Sequence, residues 1–200
     1  AFEFAGRGYD LILVARSIDR LKEVKNEIIK KYDKCNVLIM KCDVSNVESV
    51  KNLYNDIQKE FGNIDVLVNN AGFGDCGKFY ETDLEKDISM INTNILGLHV
   101  LTKLFLQDMV KVNKGYILNI ASIAGFMPGP LMATYYSTKA HVVRLTRAIA
   151  KELKSVNSKV RIAAYCPGPV DTEFNKNANV TFSLKGQSSS DVARIGVKGL

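Results

Sequence analysis

The stretch "LILVARSIDRLKEVKNEIIKKYDKCNVLIMKC", residues 11–42, decides the fold of this chain. It begins with a short continuous apolar run, "LILVA", which is typical of a strand buried on both faces. A second apolar run, "NVLIMKC", ends it. The segment between them has apolar residues at helical spacing, namely Leu21, Val24, Ile28 and Ile29. A strand, a helix and another strand in this order predict a β-α-β unit with two parallel strands.

The rest of the chain continues the same alternation of strands and helices. Three further strands are predicted in "IDVLVN" (64–69), "YILNIA" (116–121) and "VRIAAY" (160–165). Helices are predicted over 45–61, 82–112 and 134–154. The first two are expected to open at capping boxes, formed by Ser45 with Glu48 and by Thr82 with Glu85. We therefore expect an α/β fold with a doubly wound parallel sheet, in one domain that covers residues 1–200 without a linker.

The composition excludes several classes of protein. Of the 200 residues, 46% are hydrophobic and 24% are charged, which is normal for a globular domain and not for a disordered one. No apolar run approaches the roughly 20 residues that span a bilayer. The formal charge is +6, but acidic residues interrupt the basic ones, as in "KNEIIKKYDK", so we predict no nucleic-acid partner.

The cysteines and histidines do not form a recognisable metal site. No two cysteines form a C-x-x-C pair, so we interpret all four as reduced thiols of a cytoplasmic protein: Cys35, Cys42, Cys76 and Cys166. His99 and His141 fall within predicted helices, and no further ligand accompanies them. We predict that both histidines are structural and that the protein binds no metal.

Polar and small residues follow each predicted strand. A doubly wound sheet binds its ligands at the carboxyl ends of its strands, so these segments are the candidate site. They are "ARS" (15–17), "DVS" (43–45), "NAG" (70–72), "SIAG" (122–125) and "CPGPVDT" (166–172).

The segment "ATYYSTKA" (133–140) places two tyrosines shortly before a lysine. Tyr135 and Tyr136 lie four and three residues before Lys139, so on a helix either one can share a face with it. An ammonium group beside a phenol favours the phenolate and lowers the phenol pKa, which would make the tyrosine a general acid or base. Helical spacing alone does not choose between the two tyrosines.

The motifs "NNAG", "NIASIAG", "YYSTK" and "PGPVDT", in this order, resemble the classical short-chain dehydrogenase/reductase family over nearly the whole chain. In that family a serine lies thirteen residues before the catalytic tyrosine. Ser122 lies thirteen residues before Tyr135, which favours Tyr135 over Tyr136. The resemblance implies an oxidoreductase that interconverts a carbonyl and a secondary alcohol by hydride transfer, with NADP(H) as cofactor and a small-molecule substrate.

The resemblance also assigns roles to the candidate catalytic residues. It implies that Ser122 donates a hydrogen bond to the substrate oxygen and that Tyr135 transfers the proton. Lys139 would act on Tyr135 and hold the nicotinamide ribose. Asn94 would hold a water that links Lys139 to solvent. Asn92 competes for this role, but "N-I-L-G" fits the family pattern of an asparagine three residues before a glycine.

The cofactor preference is inferred from the turn after the first apolar run. An NAD site places a carboxylate near this turn, whereas an arginine accommodates the 2′-phosphate of NADP. Here Ala15 has no carboxylate, and Arg16 and Ser17 follow it. By the same resemblance, Asp43 would bond the adenine and Val44 would lie against its ring.

The remaining cofactor contacts are implied at two other strand ends. Asn70, Ala71 and Gly72 would present their backbone, and Gly72 permits a close approach because it lacks a Cβ atom. The nicotinamide and its amide would lie against four residues near the end of the chain, namely Pro167, Gly168, Val170 and Thr172.

The chain also departs from the family pattern. The glycine-rich turn and the first strand would come before Ala1, and the family continues beyond Leu200. We therefore expect a chain truncated at both ends, in which "LILVA" and "DVLVN" lack their shared partner strand. A substrate loop is expected near 173–190, where an apolar pocket could be lined by Val180, Phe182 and Leu184.

Two other functions remain open at this point. The first is a non-catalytic NADP(H)-binding sensor or scaffold on the same fold, which is disfavoured because all four catalytic positions are occupied by the family residues. The second is a lyase or epimerase, disfavoured by the short span after "PGPVDT". The resemblance further implies a homodimer or homotetramer, formed through the long helices around Asn94 and Tyr135.

Overall fold

The computed structural model describes residues 1–174, 178, 180 and 186–199. Its first elements are α1 (Phe2–Ala5), β1 (Leu11–Ala15), α2 (Ile18–Lys31), β2 (Val37–Lys41), α3 (Val47–Phe61) and β3 (Val66–Asn69). The next are α4 (Leu84–Ile91), a π-helix (Asn92–Gly97), α5 (Leu98–Val112), β4 (Tyr116–Ile120), a 3₁₀ helix (Ile123–Phe126) and α6 (Ala133–Ser155). The last are β5 (Arg161–Tyr165), β6 (Val170–Asp171), β7 (Gln187–Ser188) and α7 (Ser189–Lys198).

All strand pairs are parallel, which confirms the predicted α/β fold class. The strands form three groups, in the orders β1-β2, β3-β4-β5 and β6-β7. In the described part of the chain β1 and β3 do not pair with each other, and each is the edge strand of its own sheet. Among the same residues, no helix is both long and apolar enough to cross a membrane.

A layer of helices joins the first two sheets. The buried side chains of α3 and α5 form one cluster, in which Phe105 lies among Val50, Leu53, Ile57 and Leu101. Ile12 and Val14 of β1 and Leu67 of β3 pack against this same cluster. The opposite face of β1 packs through Leu11 and Leu13 against a cluster that contains Ile28 of α2. Both faces of β1 are therefore covered, which explains its continuous apolar run.

The predicted capping boxes are wrong by one residue. The N-cap of α3 is Asn46, whose Oδ1 accepts a hydrogen bond from the Ser49 amide at 2.9 Å. Ser45 does not cap the helix because its hydroxyl donates to Oδ1 of Asp43 at 2.8 Å. Asp83 likewise replaces Thr82 as the N-cap of α4. Both helices still begin with a side-chain cap, as the local composition requires.

The long helical stretch predicted over 82–112 is interrupted by the π-helix. At its end, the backbone of Gly97 presses against the β2–α3 loop, and a Cβ atom there would lie 2.1 Å from the carbonyl oxygen of Val44. Only glycine permits this approach. The π-helix begins at Asn92 and contains Asn94, so the interruption falls on the candidate site, where such features are frequent.

A buried chain of polar side chains crosses the middle sheet. Asn69, at the end of β3, donates to Thr102 of α5 at 3.0 Å and to Asn119 of β4 at 2.8 Å. Asn119 in turn donates to Thr146 of α6 at 2.9 Å. All four side chains are buried, so these bonds hold β3 and β4 against α5 and α6.

Candidate active site

The site forms where the carboxyl ends of β3 and β4 meet the start of α6. The structure brings together four residues there, namely Asn94, Ser122, Tyr135 and Lys139. Asn94 comes from the π-helix, and Ser122 from the turn after β4. Tyr135 and Lys139 lie on the first turns of α6. These are the four residues for which a catalytic role was predicted.

The amide of Asn94 binds the backbone of the segment after β3. Its Oδ1 accepts from the Phe73 amide at 3.0 Å, and its Nδ2 donates to the Phe73 carbonyl at 2.8 Å. Nδ2 also donates to the hydroxyl of Thr138 at 3.0 Å. Asn94 is fully buried, so these bonds compensate for the loss of its contact with water. The side chain therefore fixes the loop that contains Asn70, Ala71 and Gly72.

Lys139 is buried without a carboxylate partner among its hydrogen bonds. Its Nζ donates to the carbonyl oxygen of Ile120 at 2.9 Å and lies 5.8 Å from the centre of the Tyr135 ring. Burial lowers the pKa of Lys139 to about 8, and the nearby Cys166 opposes this change. Lys139 can therefore gain or lose its charge near neutral pH, which is unusual for a lysine.

The pKa of Tyr135 changes in the direction opposite to the prediction. Burial raises it, the hydrogen-bonding side chain of Ser122 lowers it, and the net shift is upward. The expected lowering by Lys139 is wrong for this structure because the ammonium is bonded to Ile120 instead of the phenol. Tyr135 therefore holds its proton at neutral pH.

Tyr136 and Asn92, the alternatives to Tyr135 and Asn94, lie in different surroundings. The ring of Tyr136 lies against the backbone of Gly129 and meets the Tyr135 ring edge-on, at 6.1 Å between centres. Asn92 is the C-cap residue of α4 and only half-buried, whereas Asn94 is next to Lys139. The geometry thus places Tyr135 and Asn94, and not their neighbours, in the cluster.

Ser122 is held by the turn that it starts. Its Oγ accepts from the Ala124 amide at 3.1 Å, which leaves the hydroxyl hydrogen free to donate. The amide of Ile123 donates to the carbonyl of Pro167 at 3.1 Å, and Ala121 donates to Tyr165 at 2.8 Å. The serine turn is therefore tied to the segment that follows β5.

The residues predicted to hold the adenine end of a cofactor lie at the ends of β1 and β2. Arg16 and Ser17 are exposed, and Ser17 caps α2 by accepting from the Arg20 amide at 3.4 Å. Asp43 is half-buried, which raises its pKa, but hydrogen bonds from Ser45 and the charge of Arg16 lower it overall. The charge of Arg16 therefore lies near enough to Asp43 to favour its ionised form.

The backbone of the "NAG" segment is accessible. Asn70, Ala71 and Gly72 are all exposed. A Cβ atom on Gly72 would lie 3.0 Å from Oδ1 of Asn94 and 3.5 Å from Nζ of Lys139. The missing side chain thus leaves room for these two polar groups beside the exposed backbone.

The predicted nicotinamide segment follows β5 and is bonded to the serine turn through Pro167. Pro167, Gly168 and Val170 are half-buried, and Thr172 is exposed. Val170 belongs to β6, which pairs with β7, and the Thr172 hydroxyl accepts from the Phe174 amide at 3.2 Å. In the predicted substrate loop, Phe182 and Leu184 lie outside the described residues.

Two residues of the site were missed by the sequence analysis. The Phe174 ring packs against the Tyr135 ring at 5.2 Å between centres. Its place two residues after Thr172, a predicted cofactor residue, is the sequence feature from which its part in the site could have been predicted. Thr138 bonds to Asn94, and no local pattern distinguishes its buried hydroxyl from a surface one. In the described residues, no three His, Cys, Asp or Glu side chains converge on a common point.

Comparisons with known proteins agree with this geometry. A model of the family described as short chain dehydrogenase matches residues 1–181. The NADP-dependent 3-hydroxy acid dehydrogenase of Schizosaccharomyces pombe is 37% identical over 166 residues, which cover 82% of this chain. The chain spans only 63% of that relative's length.

Two solved structures share the fold over almost the whole chain. A short-chain dehydrogenase from Sphingobium yanoikuyae in complex with NADPH has a TM-score of 0.90 and 26% identity, covering 99% of this chain and 77% of that one. The alcohol dehydrogenase from the archaeon Thermococcus sibiricus, complexed with 5-hydroxy-NADP, has a TM-score of 0.85 and 30% identity. That match covers 98% of this chain and 83% of the other.

The lowered pKa of Lys139 predicts a pH-dependent stability difference between the wild type and Lys139→Met. Between about pH 8 and the ordinary lysine pKa of 10.5, the unfolded state binds more protons than the folded state, so wild-type stability rises with pH. Each unit between the two pKa values contributes about 1.4 kcal/mol. Urea unfolding of the full-length proteins at pH 7.5 and pH 10 should show wild type gaining stability relative to Lys139→Met.

The exposed Lys103 provides the matched control. The stability difference between wild type and Lys103→Met should not change over the same pH range. A difference between wild type and Lys139→Met that stays constant from pH 7.5 to pH 10 would show that Lys139 has an ordinary pKa.

Proposed function

The chain belongs to the short-chain dehydrogenase family, and we propose that it is an NADP(H)-dependent oxidoreductase that interconverts a carbonyl and a secondary alcohol. The observation that carries this proposal is the cluster of Ser122, Tyr135 and Lys139 at the strand ends, supported by the buried Asn94. A non-catalytic sensor has no need of a buried lysine beside a tyrosine and a serine.

The residues at the strand ends fit a dinucleotide with a 2′-phosphate. Arg16 and Ser17 offer a cation and a hydroxyl at the end of β1, and Ala15 stands where an NAD site has its carboxylate. The backbone of Asn70, Ala71 and Gly72 is exposed, as contact with a cofactor requires. The S. pombe relative is named as NADP-dependent, and the two solved structures are complexes with NADPH and 5-hydroxy-NADP. Bound NADPH would supply the hydride.

Tyr135 and Ser122 have separate roles at the substrate oxygen. We assign to Tyr135 the transfer of a proton from its phenol oxygen to the carbonyl oxygen of the substrate, which becomes a hydroxyl. The Ser122 hydroxyl donates a hydrogen bond to the same oxygen and stabilises its developing charge. The raised pKa of Tyr135 keeps the proton available at neutral pH, which favours reduction. Alcohol oxidation needs the phenolate and should therefore become faster as the pH rises.

Replacing the two neighbouring tyrosines in the full-length protein tests the proposed role of Tyr135. Tyr135→Phe removes the proton donor, so kcat for NADPH-dependent reduction should fall by about 10²- to 10⁴-fold while NADPH still binds. Tyr136→Phe removes a hydroxyl outside the cluster and should keep kcat within a few-fold. NADPH oxidation is followed at 340 nm with a panel of ketones and aldehydes, and NADPH binding by fluorescence.

The same experiment separates the proposal from its rivals. Equal loss of activity in both variants would contradict the choice of Tyr135. Tight NADPH binding without turnover of any carbonyl in the panel would favour the sensor or scaffold function instead.

Replacing Arg16 tests the cofactor preference. Arg16→Ala should weaken NADPH binding by about tenfold or more, since a charge-assisted bond to the 2′-phosphate is lost, and should leave NADH binding unchanged. The exposed Lys22, on the same helix face as Asp19, is the control, and Lys22→Ala should change neither affinity. An Arg16→Ala variant that loses NADPH and NADH affinity equally would refute a role in 2′-phosphate recognition.

We also propose that the full-length protein is a homodimer or homotetramer. An apolar stripe runs along the exposed face of α4, where Leu84, Ile88 and Ile91 are 68%, 41% and 43% exposed. The stripe continues into the π-helix that carries Asn94, the region through which the family resemblance implies association. Exposed apolar patches of this kind mark protein contacts.

Introducing a charge into the stripe tests this assembly. Ile88→Lys should shift the full-length protein from oligomer to monomer in light scattering coupled to gel filtration, because the lysine would be buried unpaired in the contact. Val156→Lys, at the far end of α6, is the control and should leave the mass unchanged. A wild type that is monomeric at micromolar concentration would contradict the proposal.

A cytoplasmic location is proposed on the state of the cysteines. All four are free thiols and two of them, Cys35 and Cys42, are buried. Unbridged cysteines are typical of reducing compartments.

A further inference from the structure

Thr138 connects two parts of the site that are distant in sequence. Its hydroxyl accepts from Nδ2 of Asn94 at 3.0 Å and donates to the backbone carbonyl of Tyr135 at 2.7 Å. Thr138 is 1% exposed, so no solvent competes for these bonds. It lies one residue before Lys139, on the face of α6 that points towards the π-helix.

The donor and acceptor in each of these hydrogen bonds can be assigned from the groups that take part. The Phe73 backbone offers one donor and one acceptor, so it fixes the Asn94 amide with Oδ1 on the N–H and Nδ2 on the carbonyl. The second hydrogen of Nδ2 then has only the Thr138 oxygen as its partner. Because that oxygen accepts from Asn94, its own hydrogen is directed to the Tyr135 carbonyl.

The chain therefore runs from the segment after β3 to the first turn of α6. At one end is Phe73, which follows the exposed Asn70–Ala71–Gly72 backbone. At the other end is the carbonyl of Tyr135, whose phenol lies next to Ser122. Two buried side chains, Asn94 and Thr138, therefore connect the Phe73 backbone with the Tyr135 carbonyl.

We propose that Thr138 is a positioning residue, whose hydroxyl couples the cofactor-facing segment to the placement of Tyr135. This inference rests on the proposed function, because it concerns the same site. Without the hydroxyl, one N–H of the Asn94 amide loses its acceptor. The Tyr135 carbonyl loses the hydrogen bond that Thr138 donates to it. An unpaired buried donor is costly, so the Asn94 side chain would move away and the first turn of α6 would relax.

Three variants of the full-length protein test this role. Thr138→Val keeps the shape of the side chain and removes the hydroxyl. Thr138→Ser restores the hydroxyl and removes only a methyl group. Thr146→Val is the matched control, since Thr146 is an equally buried threonine on the same helix that accepts from Asn119, outside the cluster.

The first readout is NADPH-dependent reduction. We expect kcat of Thr138→Val to fall by about 10- to 100-fold with a smaller change in KM, as a displacement of about 1 Å at the reacting group would cause. Thr138→Ser should recover kcat to within a few-fold of wild type. Thr146→Val should lose thermal stability to a similar extent as Thr138→Val but keep its kcat.

The second readout needs neither turnover nor cofactor. Tyrosine labelled with ¹³C at Cζ reports the phenol pKa by NMR, and Tyr135→Phe identifies the signal of Tyr135. The titratable groups near Tyr135 are Lys139 and Tyr136 on α6, with Cys166 beside Lys139. If Thr138→Val moves the phenol away from Ser122, the pKa of Tyr135 should rise further, whereas Thr146→Val should leave it unchanged.

The outcomes decide the proposal and separate it from the proposed function. A raised Tyr135 pKa in Thr138→Val, reversed in Thr138→Ser, supports the positioning role even if no substrate in the panel is turned over. A wild-type Tyr135 pKa in Thr138→Val overturns it, whatever the activity. Equal changes in Thr138→Val and Thr146→Val also overturn it, because they would reflect only general loosening of α6.

Discussion

The pairing between the Asn94 amide and the Phe73 backbone is the interaction on which the site depends. A buried amide can satisfy one donor and one acceptor of the main chain at once, and here it does so at the point where a helix is interrupted. The segment after β3 is thereby held without secondary structure of its own. An apolar residue in place of Asn94 would leave both Phe73 groups unpaired, at a cost of about 1–3 kcal/mol each.

The parallel sheet supplies the rest of the positioning. Parallel strands end at the same edge, so Asn70, Ser122 and Pro167 approach each other although long helices separate them in sequence. The buried chain from Thr102 through Asn69 and Asn119 to Thr146 holds the middle strands against α5 and α6. The sheet is therefore bonded to these helices by polar side chains within the core, while the site itself is held by the bonds of Asn94.

Continuous apolar runs predicted β1 to β5 to within two residues because a strand covered on both faces has few polar positions that obscure its limits. "LILVA" matches β1 residue for residue, whereas the two-residue strands β6 and β7 have no apolar run and were not predicted. The cap of α3 was displaced by one residue because Asp43 binds the Ser45 hydroxyl, a competition that local composition does not reveal. The π-helix and the raised pKa of Tyr135 depend on contacts between distant segments, which periodicity cannot predict. The motif order nevertheless indicated the family and the residues of the cluster.

The buried charge of Lys139 has an energetic cost for the folded protein. A buried ammonium with a carbonyl as its hydrogen-bond partner destabilises the folded state relative to a neutral side chain, and its pKa of about 8 expresses this cost. The raised pKa of Tyr135 likewise shows that burial of its phenol disfavours the phenolate, and the ammonium of Lys139, which is bonded to Ile120, does not offset this cost. The site therefore holds Tyr135 in its protonated form, from which a proton can be transferred to a carbonyl oxygen.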